Sequence, residues 1–272
     1  ENLDLVLATI AAYVPPEGGG EKLGWEDLAL PPLRRAYPGT RPLKSFALPM
    51  ILCNLALELE SLLAKDLVER TIGRCIHEVM EEFYDPDSGL IREQVLPDGS
   101  FSDSFEGRLL NPGHAIEAMW FIMDLAGRNG DAALIDRAVE ITLRTIEHGW
   151  DPEFGGIFYF LDSQGHPPLQ LEWDQKLWWV HVETLISLTK GYRLTGQAHL
   201  LEWFQRVHEY TWAHFPDPGY GEWFGYLNRR GEVLLQLKGG KWKGCYHIPR
   251  GLMVCTLEWE KIEKTSQNQI QI

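Results

Sequence analysis

The feature that most constrains the fold of this chain is an internal period of 66 residues. Three turn sequences, Asp85-Pro-Asp-Ser-Gly89, Asp151-Pro-Glu-Phe-Gly155 and Asp217-Pro-Gly-Tyr-Gly221, follow one another at that step. Three histidines keep nearly the same interval: His114 lies 67 residues before His181, and His247 lies 66 after it. A fixed period of this length marks a repeat architecture, in which each unit is a supersecondary element that buries its apolar face only by stacking on its neighbours.

Each period holds two stretches with apolar residues at helical spacing. The expected helices cover about 48–63 and 66–84, 114–126 and 131–148, 177–195 and 199–215, and finally 248–261. After each Asp-Pro turn comes a short extended piece read as a β-hairpin in a loop: 89–96 with a turn at Asp98-Gly99, 157–160 with 169–171, and 222–227 with 232–237 around Asn228-Arg-Arg-Gly231. At the start, 1–14 reads as a helix and 15–43 as a Pro-rich loop opened by Pro15-Pro-Glu-Gly-Gly-Gly20, while 44–263 carries the repeats and 264–272 is a polar tail. One unit is therefore an inner helix, an outer helix, an Asp-Pro turn and a hairpin. Helical hairpins stacked side by side curve into a toroid, so the expected fold is all-α, a single α/α-barrel domain over 1–272. About four units are present, and an (α/α)6 ring would need roughly two more before residue 1. Glu1 in place of Met, with an apolar pattern beginning at Leu3, reads as a chain that has lost an upstream part.

Charge narrows the choice of partner. A formal charge of -14, with no basic run, argues against nucleic acid and anionic membrane surfaces and leaves a small, roughly neutral ligand. No apolar run reaches the length of a membrane helix, and no secretory signal opens the chain. Cys53, Cys75, Cys245 and Cys255 show neither CxxC nor His-Cys ligand spacing, which fits a reducing, cytoplasmic setting. Eleven tryptophans supply flat apolar faces that suit sugar rings and protein cores alike.

Equivalent positions in a ring of repeats point to one end of it, so His114, His181 and His247 are expected to converge on one mouth near the starts of inner helices. A helix N-terminus disfavours the imidazolium, keeping a neutral base available near pH 7. The plainer alternative is that each ring packs or caps a helix start. Glu117 and Arg250 stand three residues after His114 and His247, on the same helical faces. Glu183 is two residues from His181, about 200° around a helix, so it reaches the mouth only from another angle. Trp178 and its neighbour Trp179 suit either a sugar face or the barrel wall, and Cys245 reads as a packed thiol. No short histidine pair or carboxylate triad is evident, so no metal is expected.

At these residues the chain resembles the N-acylglucosamine 2-epimerase family, whose mammalian member is also called renin-binding protein. The matching stretches are Asn111-Pro-Gly-His-Ala-Ile-Glu-Ala118, Gly155-Gly-Ile-Phe-Tyr-Phe160, Leu171-Glu-Trp173, Lys176-Leu-Trp-Trp-Val-His-Val-Glu183, Tyr220-Gly-Glu-Trp-Phe-Gly-Tyr226 and Lys243-Gly-Cys-Tyr-His-Ile-Pro-Arg250. The resemblance implies an (α/α)6 barrel, a homodimer, and cofactor-independent inversion at C2 of an open-chain N-acyl aminosugar. It implies His181 and His247 as the acid/base pair and His114 as a third mouth histidine supporting the substrate; Glu117, Glu183, Trp178 and Arg250 are added as substrate-binding candidates from their spacing alone. Mammalian relatives respond to nucleotides, a possible effector that no motif here places. Competing readings are a 2-epimerase or aldose-ketose isomerase of an unmodified sugar such as mannose or cellobiose, and a non-catalytic binding protein. A glycoside hydrolase would need two opposed carboxylates, and Glu172, Asp174 and Glu183 crowd one segment.

Overall fold

The structure is a computed structural model that describes residues 42–270. The helix expected over 1–14 and all but the last two residues of the loop expected over 15–43 lie outside the described residues, as do positions 271 and 272. Among the described residues, four inner helices stand side by side: α1 (Ala47–Glu58), α3 (Pro112–Asn129), α5 (Trp178–Thr195) and α7 (His247–Ile270). α1 packs on α3, α3 on α5 and α5 on α7. Outer helices back three of them: α2 (Lys65–His77, continued by a π-helical turn at Glu78–Glu82) on α1, α4 (Ala132–Gly149) on α3, and α6 (Ala198–His214) on α5.

Local sequence explains the boundaries. α3 starts where Pro112 sits in the first turn and the Asn111 side chain accepts the His114 backbone N–H, and it stops at Gly130, whose φ of 70° is left-handed. α5 ends the same way at Gly196. From Trp178 to Gly191 every residue of α5 is buried, because helices α3, α4, α6 and α7 cover it on all sides. This is the centre of the core.

The 66-residue period is reproduced bond for bond. In the three Asp-Pro turns the backbone N–H of Gly89, Gly155 and Gly221 donates to the carbonyl of Asp85, Asp151 and Asp217 at 2.8, 2.9 and 3.0 Å. Each Asp side chain also accepts the backbone N–H two residues on, at 3.2, 3.0 and 2.8 Å. The three glycines all take positive φ, which a side chain would resist.

Three expectations need correction. The hairpin reading holds only in part: at Asn228–Gly231 the chain does fold back, with Leu227 paired to Val233 and the Leu234 N–H donating to the Tyr226 carbonyl at 2.9 Å, but the two-residue strands of all three extended pieces pair elsewhere. β4 (Gln94–Val95), β6 (Leu161–Asp162) and β8 (Tyr226–Leu227) pair with β1 (Lys44–Ser45), β5 (Leu109–Leu110) and β7 (Lys176–Leu177), the strands just before the inner helix of the same unit. Each helical hairpin is thereby closed at its loop end, and the loops gather where the inner helices begin. β2 (Tyr84–Asp85) and β3 (Leu90–Ile91) pair across the first Asp-Pro turn. The second expected helix, 66–84, holds a π turn in which the Phe83 N–H reaches the Glu78 carbonyl. The last helix does not end near 261: with no Gly or Pro to stop it, α7 runs through the expected tail to Ile270.

Candidate active site

Where the loops meet the inner-helix starts there is a cavity of about 470 Å³. His114 from α3 and His247 from α7 line it, with Glu117, Trp178 and Trp179. The Trp179 ring lies beside both imidazoles, its centroid 5.3 Å from that of His114 and 5.7 Å from that of His247. A smaller lobe of about 290 Å³ adjoins it through Glu117 and His247, and its wall is mostly apolar: Met50, Ile51, Leu55 and Phe121.

His181 is not at this mouth. Its imidazole is wholly buried, with Nδ1 2.8 Å from the Leu177 carbonyl and Nε2 accepting the Ile157 backbone N–H at 3.1 Å. Tyr210 stacks on it at 5.2 Å and Phe215 closes another side. Burial pulls its pKa down to about 3, so the ring is a neutral staple between α5 and the loop after α4. The period misled because it was matched only to within a residue. His114 is the third residue of α3, His181 the fourth of α5 and His247 the first of α7, and one residue turns a side chain by about 100°. Substituting His181 by Ala is expected to cost about 2–3 kcal/mol through an orphaned N–H and a cavity, read by urea denaturation.

The same rotation places Glu183. It is fully buried on the opposite face of α5 and receives three donors: His247 Nδ1 at 2.7 Å, Arg250 Nη2 at 2.5 Å and Trp120 Nε1 at 2.9 Å. Arg250 also bonds Glu117 at 2.9 Å and the Tyr246 hydroxyl at 2.6 Å, so it stands behind the wall among the acids rather than on the cavity. Burial, then the charge of Glu183, raises the Glu117 pKa above the usual carboxylate range against the opposing pull of Arg250 and His247. Oxygens of Glu117 and Glu183 and a nitrogen of His247 come within 4.8 Å of one another, a ligand grouping invisible in sequence spacing. The guanidinium of Arg250 already bonds both carboxylates, so the chain supplies the cation there itself.

Sequence reasoning missed Glu93. Its carboxylate lies 2.9 Å from His114 Nδ1. Burial lowers the pKa of His114, but the charge and hydrogen bond of Glu93, with help from Glu117, outweigh it and raise the value overall. Tyr159, another missed wall residue, is pushed up to about 12, first by burial and then by the charges of Glu172 and Glu93, and so keeps its hydroxyl proton as a donor. Both histidines facing the cavity thus have Nδ1 held by a carboxylate, which leaves Nε2 for a ligand.

The N-acylglucosamine 2-epimerase family model matches residues 20–250. N-acylglucosamine 2-epimerase of Rattus norvegicus is 43% identical over 225 residues, 82% of this chain and 54% of that protein. The chain belongs to the N-acylglucosamine 2-epimerase family. It spans about half the length of the curated relatives it matches. In fold it is similar to a D-mannose isomerase (TM-score 0.67, 16% identity, covering 82% of this chain and 58% of that one). A cellobiose 2-epimerase from Bacillus thermoamylovorans is also similar (TM-score 0.62, 22% identity, covering 79% and 51%). Within this member of the N-acylglucosamine 2-epimerase family, the two histidines that line the cavity are His114 and His247, set by Glu93 and Glu183. Among the described residues no helix is long and apolar enough to cross a membrane.

Proposed function

We propose that the cavity catalyses 2-epimerisation of an N-acyl-D-glucosamine, interconverting N-acetylglucosamine and N-acetylmannosamine, with His114 and His247 as the acid/base pair. The observation that carries this reading is two imidazoles on one cavity, each with Nδ1 bound to a carboxylate. In the open-chain sugar the C1 aldehyde acidifies the C2 proton. One Nε2 removes it, the charge passes to O1 as an enolate, and the other imidazolium returns a proton to the opposite face. Glu93 and Glu117 favour the charged form of His114, which makes it the acid when His247 is the base, and the reverse reaction exchanges the roles. Tyr159 and Gln175 are neutral donors on the wall for the developing oxyanion. Proton transfer alone completes the reaction, so the proposal calls on no cofactor.

An N-acyl substrate is favoured over an unmodified sugar by the apolar lobe beside His247, which offers an acyl methyl a place out of water. The same reading takes the four inner helices as an arc of an (α/α)6 ring. Proton NMR of N-acetylmannosamine with the chain should show N-acetylglucosamine appearing, and mannose and cellobiose turned over less efficiently. Preference for either unmodified sugar would overturn the substrate, and binding of these sugars without turnover would overturn the reaction.

A further inference from the structure

We propose that Glu93 is a positioning residue for His114: its carboxylate fixes Nδ1 as the protonated ring nitrogen and leaves Nε2 as the atom that exchanges protons with a ligand. The inference rests on the reading above and deepens it by naming what sets one of its two bases.

Three observations carry it. First, Glu93 is itself immobilised. Its backbone N–H donates to the Leu109 carbonyl at 3.1 Å, and its own carbonyl accepts the Phe46 N–H at 3.0 Å, so it is pinned between the approaches to α1 and α3. Second, its carboxylate is mostly buried, 12% exposed, and lies 2.9 Å from His114 Nδ1 while Trp179 covers the ring at 5.3 Å. A ring with one nitrogen tied and one side covered keeps a single orientation. Third, the other cavity histidine is held in the same manner. His247 Nδ1 sits on Glu183, which belongs to the preceding inner helix, as Glu93 belongs to the loop preceding α3.

The chemistry requires such a device. A neutral imidazole can accept a proton only on the nitrogen that carries none, and the partner of the other nitrogen decides which that is. Without Glu93, the Nε2–H form would turn a donor toward the cavity where a base is needed. A carboxylate that bonds a catalytic histidine also stabilises the imidazolium once formed. The charged and titratable groups around the ring are Glu93 from the loop, Glu117 from α3, His247 from α7, and Tyr159 and Glu172 from the loop after α4. The hydrogen bond goes to Glu93. The repeat gives no hint of it, since one and two periods later stand Tyr159 and Gly225.

The test combines ring spectra with kinetics. In the 15N-histidine-labelled full chain, with His114 assigned by the loss of its signals in H114Q, neutral His114 should be the Nδ1–H tautomer. In E93A it should become mainly Nε2–H, and kcat should fall about 100-fold with KM within about threefold. E93D should restore part of the rate. E93Q keeps an acceptor but loses the charge, so it should keep the tautomer and shift the basic limb of the pH profile to lower pH. A native ring already in the Nε2–H form, or a folded E93A with native tautomer and rate, would overturn the proposal. Absence of sugar turnover in the wild type would sink the epimerase reading alone, because the ring spectra decide the role of Glu93 without substrate.

Discussion

Replacing His247 by Ala is expected to lower kcat for aminosugar epimerisation by about 10³-fold, within the range a positioned acid or base supplies, and replacing His114 should cost about as much. The two losses should not add. Once one face of C2 has no proton partner the cycle stops, so the double variant should be little slower than either single one. His181→Ala, in contrast, should lose stability and, at a temperature where it stays folded, keep a rate near that of the wild type, because its ring bonds Leu177 and Ile157 rather than a ligand. Initial rates followed by the anomeric proton signals, with circular dichroism to establish folding, check all three. A folded His181 variant without activity beside a competent His114 variant would reverse the assignment.

The largest effect on stability is expected at Asp151. This carboxylate is fully buried, accepts from Lys176 Nζ at 3.1 Å and is bonded twice by Arg229, at 2.9 and 3.3 Å. Lys176 is also fully buried, its ammonium 3.6 Å from the centroid of the Phe158 ring. Together these charges tie the Asp-Pro turn of one unit to the strand before α5 and to the loop of the next. Asp151→Ala leaves the buried ammonium unpaired and should cost about 3–5 kcal/mol, which in a domain of this size lowers Tm by about 10 °C. Adding Lys176→Met should recover part of the loss by removing the stranded charge. Burial alone would raise the Asp151 pKa, but the Arg229 bond, the backbone N–H of Glu153 and then Lys176 hold it at about 2. A folded-state value below the unfolded one means the stabilisation is present above the ordinary aspartate pKa and is lost as pH falls towards 2. Acid should therefore erode the stability of the wild type more than that of the variant, as parallel denaturation series from pH 5 to pH 2 would show.

What the sequence could disclose follows from what periodicity encodes. The seven helices of the described residues and their inner-outer alternation were legible because each buries one side against a neighbour and so repeats apolar residues at helical spacing. The Asp-Pro turns were legible because a side-chain acceptor and a positive-φ glycine are fixed by residue type. Strand partners were not: alternation shows that 222–227 is extended, but not that Tyr226–Leu227 pairs with Lys176–Leu177 across the unit. Side-chain direction was lost where helix starts shift by one or two residues, which sent His181 into the core and Glu183 toward His247. Glu93 and Tyr159 were out of reach, since neither recurs with the period and both arrive from loops.

The most direct test of the His114–His247 pair is deuterium incorporation at C2, followed by proton NMR in D2O with N-acetylglucosamine and N-acetylmannosamine offered separately. With each histidine serving one face of C2, the wild type should label both sugars. His114→Ala and His247→Ala should each still label one sugar without converting it, and the sugars should be opposite ones. Labelling of the same single sugar by both variants, or of both sugars by either, would contradict a pair divided between the two faces.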